Sequence, residues 1–463
     1  MILRVINHPY EFDMKNLCIT FFPHEKIRLE GEEDPVVVTT RRETDGSFFV
    51  SAKVYDVYRE TTAKPEPADE EHLVLSVTLY RLLSGILGFA PPWGVLYGVR
   101  PAKLMHRLCA QMGDDAAVAH FQTAFLTQKS KAELAHEVML HENRSIARSG
   151  PKSFSLYVSI PFCPTRCAYC SFVSHSIEKT HKLMTPYVDL LLRELEETSK
   201  YAKELGLELA TVYFGGGTPT TLSAQDLGRI FSTIEQNFDF SHMMEYTVEA
   251  GRPDTVTRER LEVIRAAGVQ RISINPQSFN DKVLEAIGRR HTAQQTLDAF
   301  ALARDCGFDH INMDFIAGLP EDDLPSFQRS IQTALDLQAE SITVHTLALK
   351  TSAYMVTREQ TFDLKDRLTV SNMVDYAGQT LHGAGYYPYY MYRQSKSLGN
   401  LENVGWCKPG YDCLYNVYMM DETHTVLAVG AGAVTKLRGQ NSGMIERIYN
   451  YKYPYEYIRD FDT

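Results

Sequence analysis

The chain has 463 residues, of which 44% are hydrophobic and 23% charged, and this ordinary composition excludes a collagen, a mucin-like stalk or a wholly disordered chain. Its 47 Lys and Arg against 58 Asp and Glu give a net charge of −11, which argues against nucleic-acid binding, because phosphate neutralisation needs clustered cations. No apolar run reaches the ~18 residues that span a bilayer, and no secretory signal is visible, so we expect a cytosolic protein without a membrane span.

Residues 1–150 predict an N-terminal accessory α+β region. The segments ILRVI, PVVVTTRRET and SFFVSAKVYDVY are rich in β-branched and aromatic residues and predict strands. PEPADEEHLVLSVTLYRLLSGILG predicts a helix with an acidic start, which PPWG at 91–94 ends. Two or three further helices follow, including KAELAHEVMLHENRSIAR, and SGPKS at 149–153 predicts a linker.

Residues 151–350 alternate between short apolar strands and helices, six times over. The strands are SLYVSI, TVYFGGG, MEYTVEA, RISINPQ, HINMDFIAGLP and SITVHTLAL. This alternation is typical of parallel βαβ units with right-handed crossovers. Periodicity alone does not choose between an open doubly wound sheet and a partial barrel. In both architectures the functional site lies at the C-terminal ends of the strands.

Residues 351–463 change character and predict a C-terminal α+β extension on the substrate side. Tyrosine is dense in GYYPYYMYRQ, which predicts either a strand or an irregular loop, and again near the end of the sequence. TVLAVGAGAVTKL predicts a strand that turns at glycines.

Three of the eight cysteines indicate chemistry. Cys163, Cys167 and Cys170 follow the strand SLYVSI with CxxxCxxC spacing. Three thiolates on one short loop can hold three irons of a 4Fe–4S cluster and leave the fourth iron open. A structural zinc site is the alternative, but it normally needs a fourth protein ligand, and His175 lies outside the loop. The other five cysteines are best interpreted as small buried hydrophobic residues: Cys18, Cys109, Cys306, Cys407 and Cys413.

The cysteine motif resembles that of the radical S-adenosylmethionine superfamily. YVSIPFCPTRCAYCSF is similar to the branch that contains the oxygen-independent coproporphyrinogen III dehydrogenases and their haem-chaperone relatives. The likeness continues through GGGTPT, VEAGRPDT, GVQRISINPQSF, IGRRHT and DFIAGLP, in the same order. INHPYEFDM, PPWGVLYGVRPAK and YYMYRQ…NLENVG…GAGAVTK resemble a HemZ-type subgroup, which extends the likeness over most of the chain.

This resemblance implies a fold, a reaction and two cofactors. We expect the parallel βα repeats to form a partial (β/α)6 barrel around a 4Fe–4S cluster and S-adenosylmethionine. In the family an electron from the cluster cleaves S-adenosylmethionine to a 5′-deoxyadenosyl radical. The implied reaction converts two of the four propionates of coproporphyrinogen III to vinyl groups and gives protoporphyrinogen IX. A low-potential flavodoxin or ferredoxin is the expected electron donor.

The resemblance also assigns roles to individual residues. It makes Cys163, Cys167 and Cys170 the metal ligands, and it implies catalytic roles for Tyr157 and Glu249. The residues implied to contact S-adenosylmethionine are Tyr157, Tyr169, Gly216, Gly217, Thr218, Glu249, Gln277, Arg289, Asp314 and Ala348. Glycines let backbone approach a ligand closely, and a carboxylate at a strand end can accept hydrogen bonds from ribose or ammonium groups.

Two departures from the dehydrogenase pattern leave the reaction open. Ser159 stands at a His position, and Phe172 stands where the dehydrogenases carry a fourth cysteine. The haem-chaperone relatives share the CxF ending, so a haem-binding chaperone is one alternative. A radical enzyme acting on another tetrapyrrole is a second.

The substrate pocket is the least determined part of the sequence. A tetrapyrrole needs aromatic walls and a few cations for its propionates. YYPYYMYRQSK offers this mixture. The candidate residues are Arg290, His291, His345, Arg393 and Lys396.

Overall fold

The computed structural model describes residues 1–462 apart from 24, 99, 171, 173, 349–363, 395–396 and 440–442, and only the backbone at 179, 364 and 365. The chain forms two compact units. The smaller unit comprises Met1–Met139, Met391–Glu402 and the described part of Thr361–Ser371. The larger unit comprises the remainder. The sequence-based division near residues 150 and 350 stays a prediction.

The described residues of the N-terminal region form a four-stranded sheet and five helices. Its elements are β1 (Ile2–Ile6), α1 (Glu11–Phe21), β2 (Val36–Arg42), β3 (Phe48–Val54), β4 (Val57–Ala63), α2 (Glu71–Leu87), α3 (Pro101–Met112), α4 (Asp114–Thr123) and α5 (Lys129–Ile146). The sheet order is β1-β2-β3-β4, with β1 parallel to β2. Leu75, Leu79 and Leu83 recur every four residues along α2 and are fully buried, so this helix supplies one apolar face of the core.

One strand prediction in this region is wrong. SFFVSAKVYDVY is predicted as a single strand, but it forms β3 and the first part of β4, with Val54 paired to Val57 across a hairpin. The turn is made by Tyr55 and Asp56, and Tyr55 has a φ of 52°. The sequence gives little warning of this turn, because Gly and Asn, the residues that favour positive φ, are absent from it.

The central part of the chain contains all six predicted strands. The elements are β5 (Ser153–Ile160), β6 (Phe162–Cys163), β7 (His175–Ser176), α6 (Ile177–Glu204), β8 (Glu208–Gly216), α7 (Ala224–Asn237), β9 (Glu245–Glu249), α8 (Arg258–Ala266), β10 (Arg271–Ser273), α9 (Asp281–Ala286), α10 (Ala293–Asp305), β11 (His310–Ala317), α11 (Leu324–Asp336) and β12 (Ser341–Thr346). Strands β5, β8, β9, β10, β11 and β12 lie side by side in chain order, and each is parallel to its neighbour. The predicted α/β class is therefore confirmed.

The C-terminal part extends this sheet at both edges. Its elements are α12 (Leu364–Gly383), β13 (Tyr387–Arg393), β14 (Glu402–Cys407), α13 (Leu414–Asp421), β15 (Thr425–Val429), β16 (Val434–Arg438), β17 (Ile445–Tyr449) and α14 (Pro454–Asp460). The tyrosine-rich segment thus forms a strand, β13. Strand β14 pairs antiparallel with β12, and β15 pairs parallel with β5.

The sheet remains open, as expected of a partial barrel. Its order is β13-β14-β12-β11-β10-β9-β8-β5-β15-β16-β17, and in the described residues the two end strands do not pair with each other. The expected six parallel strands become seven, because β15 continues the parallel run beyond β5. No helix among the described residues is long and apolar enough to cross a lipid bilayer.

Local sequence signals explain the regular βα repeats. Helices α7, α8, α10 and α11 each begin after a residue whose side chain accepts a hydrogen bond from the first helical turn. These capping residues are Ser223, Thr257, Thr292 and Asp323. The strands between the helices are almost continuously buried, because helices cover a parallel sheet on both faces.

Candidate active site

The residues predicted to form the site follow or end parallel strands. The cysteine loop follows β5, Gly216 ends β8 and Glu249 ends β9. Asp314 lies within β11. Asn312, two residues before it, pairs with Ser273, the last residue of β10, so Asp314 lies two residues beyond the end of β10. Because the strands are parallel, these side chains share one edge of the sheet.

The cysteine loop is tied to neighbouring segments by backbone hydrogen bonds. Strand β6, which ends at Cys163, pairs with β7. The Cys170 amide donates to the Cys167 carbonyl at 3.1 Å, which closes a turn between two of the cysteines. The Ala168 amide donates to the Ile287 carbonyl at 2.9 Å, so the loop is fixed against the segment between α9 and α10.

The three thiols are arranged for a group larger than a single ion. Burial, with smaller contributions from Cys170 and Cys167, raises the pKa of Cys163 to about 11, although a hydrogen bond with Thr218 opposes the shift. The three sulfur atoms nevertheless do not all lie within 4.8 Å of one another. Two sulfurs on one zinc ion can be at most about 4.6 Å apart, twice the ~2.3 Å Zn–S bond. The donor set therefore fits an iron–sulfur cluster better than zinc.

The glycine run brings the end of β8 against the segment that leads into Cys163. The Gly217 amide donates to the Ile160 carbonyl at 2.8 Å, and the Thr218 amide donates to the Phe162 carbonyl at 2.7 Å. A Cβ at Gly217 would lie 2.6 Å from the Phe162 carbonyl oxygen. Gly216 has a φ of 101°, which also favours glycine. The sequence suggested that the glycines let the backbone approach a ligand. At Gly217 the group that is approached is instead the protein's own backbone.

Arg252, which the sequence analysis missed, contacts one of the cysteines. Its buried guanidinium donates from Nη1 to Cys167 Sγ at 3.7 Å and to Thr165 Oγ1 at 3.2 Å. The Asp254 carboxylate accepts two further hydrogen bonds from the same guanidinium group, at 3.0 Å from Nε and 2.9 Å from Nη2. The Arg-Pro-Asp triplet in VEAGRPDT was the available signal, since an arginine two residues before an aspartate can form such a pair.

Arg289 also lies against the cysteine loop. Its buried guanidinium donates from Nη1 to the Asn275 carbonyl at 2.5 Å and from Nη2 to the Tyr169 hydroxyl at 3.3 Å. Its Nε is buried without a hydrogen-bond partner, and so is Asn275 Oδ1. Buried polar atoms are rarely left unsatisfied in native proteins. These atoms therefore fit a polar ligand that adds the missing hydrogen bonds.

Glu249 carries a carboxyl group whose ionisation is shifted into the neutral range. Burial raises its pKa to about 7, although the Tyr213 hydroxyl, which donates to Oε1 at 2.6 Å, opposes the shift. Asp314 raises the pKa further, whereas Arg271 and His345 lower it. A carboxyl group with such a pKa can exchange protons near neutral pH.

Asp314 has the opposite electrostatic environment. Burial raises its pKa, but His345 and Asn312 lower it by more, so the pKa lies below its ordinary value. Asn312 Nδ2 donates to Oδ1 at 2.7 Å, and His345 Nε2 lies 3.8 Å from Oδ2. The Asp314 carbonyl accepts from the Gln277 amide at 2.9 Å. Gln277 has a φ of 66°, an unusual backbone conformation that tends to occur at functional sites.

Three tyrosines stack beside Glu249. The ring centroids of Tyr157 and Tyr213 are 6.3 Å apart, and those of Tyr213 and Tyr415 are 4.3 Å apart. Burial raises the pKa of Tyr157, and the nearby Glu249 raises it further, so the phenol stays protonated at neutral pH. Tyr415 comes from α13, and no motif in the sequence links it to β5 or β8. The stack gives this part of the site a flat apolar wall.

The predicted substrate residues do not form one group. His345 lies in the site beside Asp314, whereas Arg290 is exposed and pairs with Glu178 at 2.5 Å. His291 is buried, and desolvation with nearby Arg289 lowers its pKa to about 3, so it is neutral.

Two further candidates lie in the tyrosine-rich segment. Arg393 is buried in the smaller unit, where it donates to the carbonyls of Leu96 and Asn400 at 2.9 and 3.2 Å, which is a structural role. Lys396 lies outside the described residues. Ala348, implied to contact S-adenosylmethionine, is half-buried just after β12.

Comparisons with known proteins agree with this geometry. The sequence model of the Radical SAM superfamily matches residues 157–334. The chain is 34% identical to the oxygen-independent coproporphyrinogen-III oxidase-like protein HemZ of Bacillus subtilis, over 97% of this chain and 93% of that protein. It is 31% identical to the heme chaperone HemW of Haemophilus influenzae, over 66% of this chain and 76% of that protein.

A solved structure shows the same fold. The coproporphyrinogen III oxidase HemN of Escherichia coli, described as a radical SAM enzyme, superposes with a TM-score of 0.53 at 22% sequence identity. The superposition covers 70% of this chain and 72% of that structure. At this identity the likeness establishes the fold of the larger part of the chain.

The first prediction concerns the cysteines. Changing Cys163, Cys167 or Cys170 singly to Ala should abolish most of the bound iron and the visible absorption of the reconstituted protein, because each removes one cluster ligand. Iron analysis and absorption spectra measure both. Cys306→Ala is the matched control, since this partly exposed cysteine lies outside the loop. Unchanged iron in all three loop variants would contradict the cluster assignment.

The second prediction concerns Arg252. The reduced cluster carries one more negative charge than the oxidised cluster, so a cation at 3.7 Å from Cys167 Sγ favours reduction. Arg252→Gln should lower the ratio of reduced to oxidised cluster about tenfold at a fixed applied potential, which is 59 mV for a one-electron couple. Paramagnetic resonance during a reductive titration measures this ratio.

Two further variants control the Arg252 measurement. Arg252→Lys keeps the charge and should preserve most of the potential. Arg290→Gln removes an exposed charge, 66% accessible, and should change little because solvent screens it. Equal potentials for the wild type and Arg252→Gln, with iron content retained, would contradict the proposed electrostatic effect.

The third prediction concerns the pH dependence of cofactor binding. If ionised Glu249 accepts hydrogen bonds from S-adenosylmethionine, affinity should rise about tenfold between pH 6 and pH 8, as the carboxyl ionises through its pKa of about 7. Calorimetric titration of the cluster-loaded protein measures the affinity. Several titratable or charged groups face Glu249, namely Tyr157, Tyr213, Arg271, Asp314, His345 and Tyr415. Glu249→Gln isolates its contribution, and an unchanged slope in that variant would contradict the assignment.

Proposed function

Because this chain belongs to the radical SAM superfamily, and within it to the HemZ-type oxygen-independent coproporphyrinogen-III oxidase-like group, we propose that it is an oxygen-independent coproporphyrinogen III dehydrogenase. The reaction removes the β-hydrogen, carbon dioxide and one electron from each of two substrate propionates. Each propionate becomes a vinyl group, and the product is protoporphyrinogen IX. The observation that carries this proposal is the similarity to a coproporphyrinogen-III oxidase-like protein over 97% of the chain.

The cofactors of this chain are a 4Fe–4S cluster and S-adenosylmethionine. When bound, they supply the radical that abstracts hydrogen from the substrate, and the protein positions and shields them. We assign the cluster to Cys163, Cys167 and Cys170. Arg252 offsets part of the negative charge of the cluster through its contact with Cys167.

The remaining site residues hold S-adenosylmethionine. Arg289 presents its unpartnered Nε to the carboxylate of the ligand, and Tyr169 connects this arginine to the cysteine loop. Glu249 and Asp314 accept hydrogen bonds from its amino and hydroxyl groups. Gly216, Gly217 and Thr218 keep the end of β8 close to the cysteine loop. Tyr157 contributes an apolar face that excludes water beside Glu249.

The propionates of the substrate need cationic partners at the same edge of the sheet. His345 is the candidate we favour, because its Nε2 lies 3.8 Å from Asp314 Oδ2. Its imidazole can donate to a carboxylate when it is protonated. We propose a low-potential flavodoxin or ferredoxin as the electron donor and the cytosol as the site of the reaction.

A haem-chaperone function is the second candidate, and Phe172 favours it. This residue stands where the dehydrogenase pattern has a fourth cysteine, and its side chain is 66% exposed next to Cys170. An exposed phenylalanine is an apolar contact for a flat macrocycle, whereas a cysteine at that position can exchange hydrogen or electrons. The relatives named heme chaperone HemW match about two thirds of the chain.

An anaerobic turnover assay is the fourth prediction and separates these functions. Reconstituted protein is mixed with S-adenosylmethionine, a low-potential reductant and coproporphyrinogen III, and chromatography follows tetrapyrroles and 5′-deoxyadenosine. We expect protoporphyrinogen IX together with stoichiometric 5′-deoxyadenosine, and neither from the Cys163→Ala control. In a parallel experiment, haem is added to the protein and the number of haem molecules bound per chain is measured.

Each alternative gives a different outcome. If coproporphyrinogen stays unchanged while the cluster is intact, and haem binds one-to-one, the protein is a haem chaperone and not a dehydrogenase. Formation of 5′-deoxyadenosine without decarboxylation, with haem consumed, would indicate a radical enzyme that acts on another tetrapyrrole.

A further inference from the structure

Three side chains from three consecutive helices converge in the N-terminal region, apart in sequence from the cysteine loop. Cys109 lies in the last turn of α3, Asp114 is the first residue of α4 and His136 lies in α5. A ligand atom from each, the thiol sulfur, a carboxylate oxygen and an imidazole nitrogen, lies within 4.8 Å of the other two. Among the described residues this is the one such triple of His, Cys, Asp or Glu.

The short connection between α3 and α4 brings Cys109 and Asp114 together. The Gly113 amide donates to the Cys109 carbonyl at 2.9 Å and ends α3, while the Gly113 carbonyl accepts from Ala117 at 3.0 Å and begins α4. Gly113 has a φ of 83°, a conformation that favours glycine. One residue therefore connects the two helices, and Asp114 comes to lie beside Cys109.

The geometry of His136 indicates a shared ligand rather than a simple ion pair. His136 Nε2 lies 3.1 Å from Asp114 Oδ2, yet the two atoms do not have hydrogen-bond geometry. The nitrogen is buried and has no other hydrogen-bond partner. A buried imidazole nitrogen thus lacks a hydrogen-bond partner beside a carboxylate and a thiol, and an ion bound by all three groups would satisfy it.

The donor chemistry selects the class of ion. Thiolate and imidazole are preferred by zinc and similar divalent transition metals, whereas magnesium and calcium prefer oxygen ligands alone. Three protein ligands of this kind leave a fourth tetrahedral position for water. A cysteine binds such an ion as the thiolate, so binding releases the thiol proton of Cys109.

We propose that Cys109, Asp114 and His136 bind one zinc-like divalent ion that clips α3, α4 and α5 together. This site is separate from the proposed reaction and does not depend on it. The ion closes a loop from residue 109 to residue 136 and so restricts the unfolded chain. Its expected effect is a more stable helical part of the N-terminal region.

The test uses the full-length chain in a background that cannot bind metal at the cysteine loop. The variant Cys163→Ala, Cys167→Ala, Cys170→Ala provides this background. Cobalt(II) is titrated first, because a thiolate-to-cobalt charge-transfer band reports directly on a cysteine ligand. Zinc is then added to displace the cobalt. We expect one equivalent of cobalt, displaced by one equivalent of zinc, and a higher melting temperature with zinc bound.

Substitutions in the same background identify the ligands. Cys109→Ser should abolish the charge-transfer band, and His136→Ala should weaken binding at least about tenfold. Asp114→Asn should also weaken binding, and because this side chain is 57% exposed the variant should fold normally. Circular dichroism checks the fold of each variant.

Two controls match the chemistry of the ligands. Cys306→Ser removes a partly exposed thiol elsewhere, and His72→Ala removes a surface histidine that lies 3.5 Å from Glu70 without a thiol nearby. Neither should change the binding. Absence of the charge-transfer band, or equal binding by the background and the folded Cys109→Ser and Asp114→Asn variants, would overturn the proposal and leave an ordinary histidine–aspartate pair.

Discussion

The position of the cysteine loop depends on one close backbone contact. Gly217 lies so near the Phe162 and Ile160 carbonyls that a side chain at this position would overlap them. This contact fixes where the chain leaves β5 and enters β6, and hence where Cys163 begins the loop. Hydrogen bonds from the loop to Ile287 and from Arg289 to Tyr169 then set the remaining sulfurs relative to the strand ends. The cofactor site is thus organised first by backbone packing and then by side-chain chemistry.

Electrostatics divides the site into two environments. The charged groups around the cysteines include Arg166 and the buried guanidinium groups of Arg252 and Arg289, which suit an anionic cluster and a carboxylate. Around Glu249 the neighbours are the guanidinium group of Arg271 together with carboxyl, imidazole and phenol groups, and burial brings the pKa of Glu249 to about 7. A cationic or hydroxyl-bearing part of a ligand suits the second environment. The two environments together match the charge distribution of S-adenosylmethionine bound beside a cluster.

The sequence predicted the repeated architecture because its signals are local. Apolar strands, capped helices and the glycine run at residues 215–217 each depend on neighbouring residues, and all six strands formed as expected. It did not reveal Arg252, Tyr415 or the place of β15, because these depend on contacts between distant segments. The hairpin at Tyr55 was missed for another reason, since the usual turn residues are absent. The assigned roles of the site residues stay predictions that the three site experiments test.

The parallel pairing of β15 with β5 has a consequence for how the protein is made. Strand β5 lies between β8 and β15, and Ser159 at its end donates to the Ala431 carbonyl across 272 residues of chain. During synthesis from the N-terminus, the edge of β5 that pairs with β15 therefore stays unpaired until the segment around Ala431 has been made. The strand that leads into the cysteine loop is completed only then. The three cysteines are accordingly made long before the sheet beside them is fully paired.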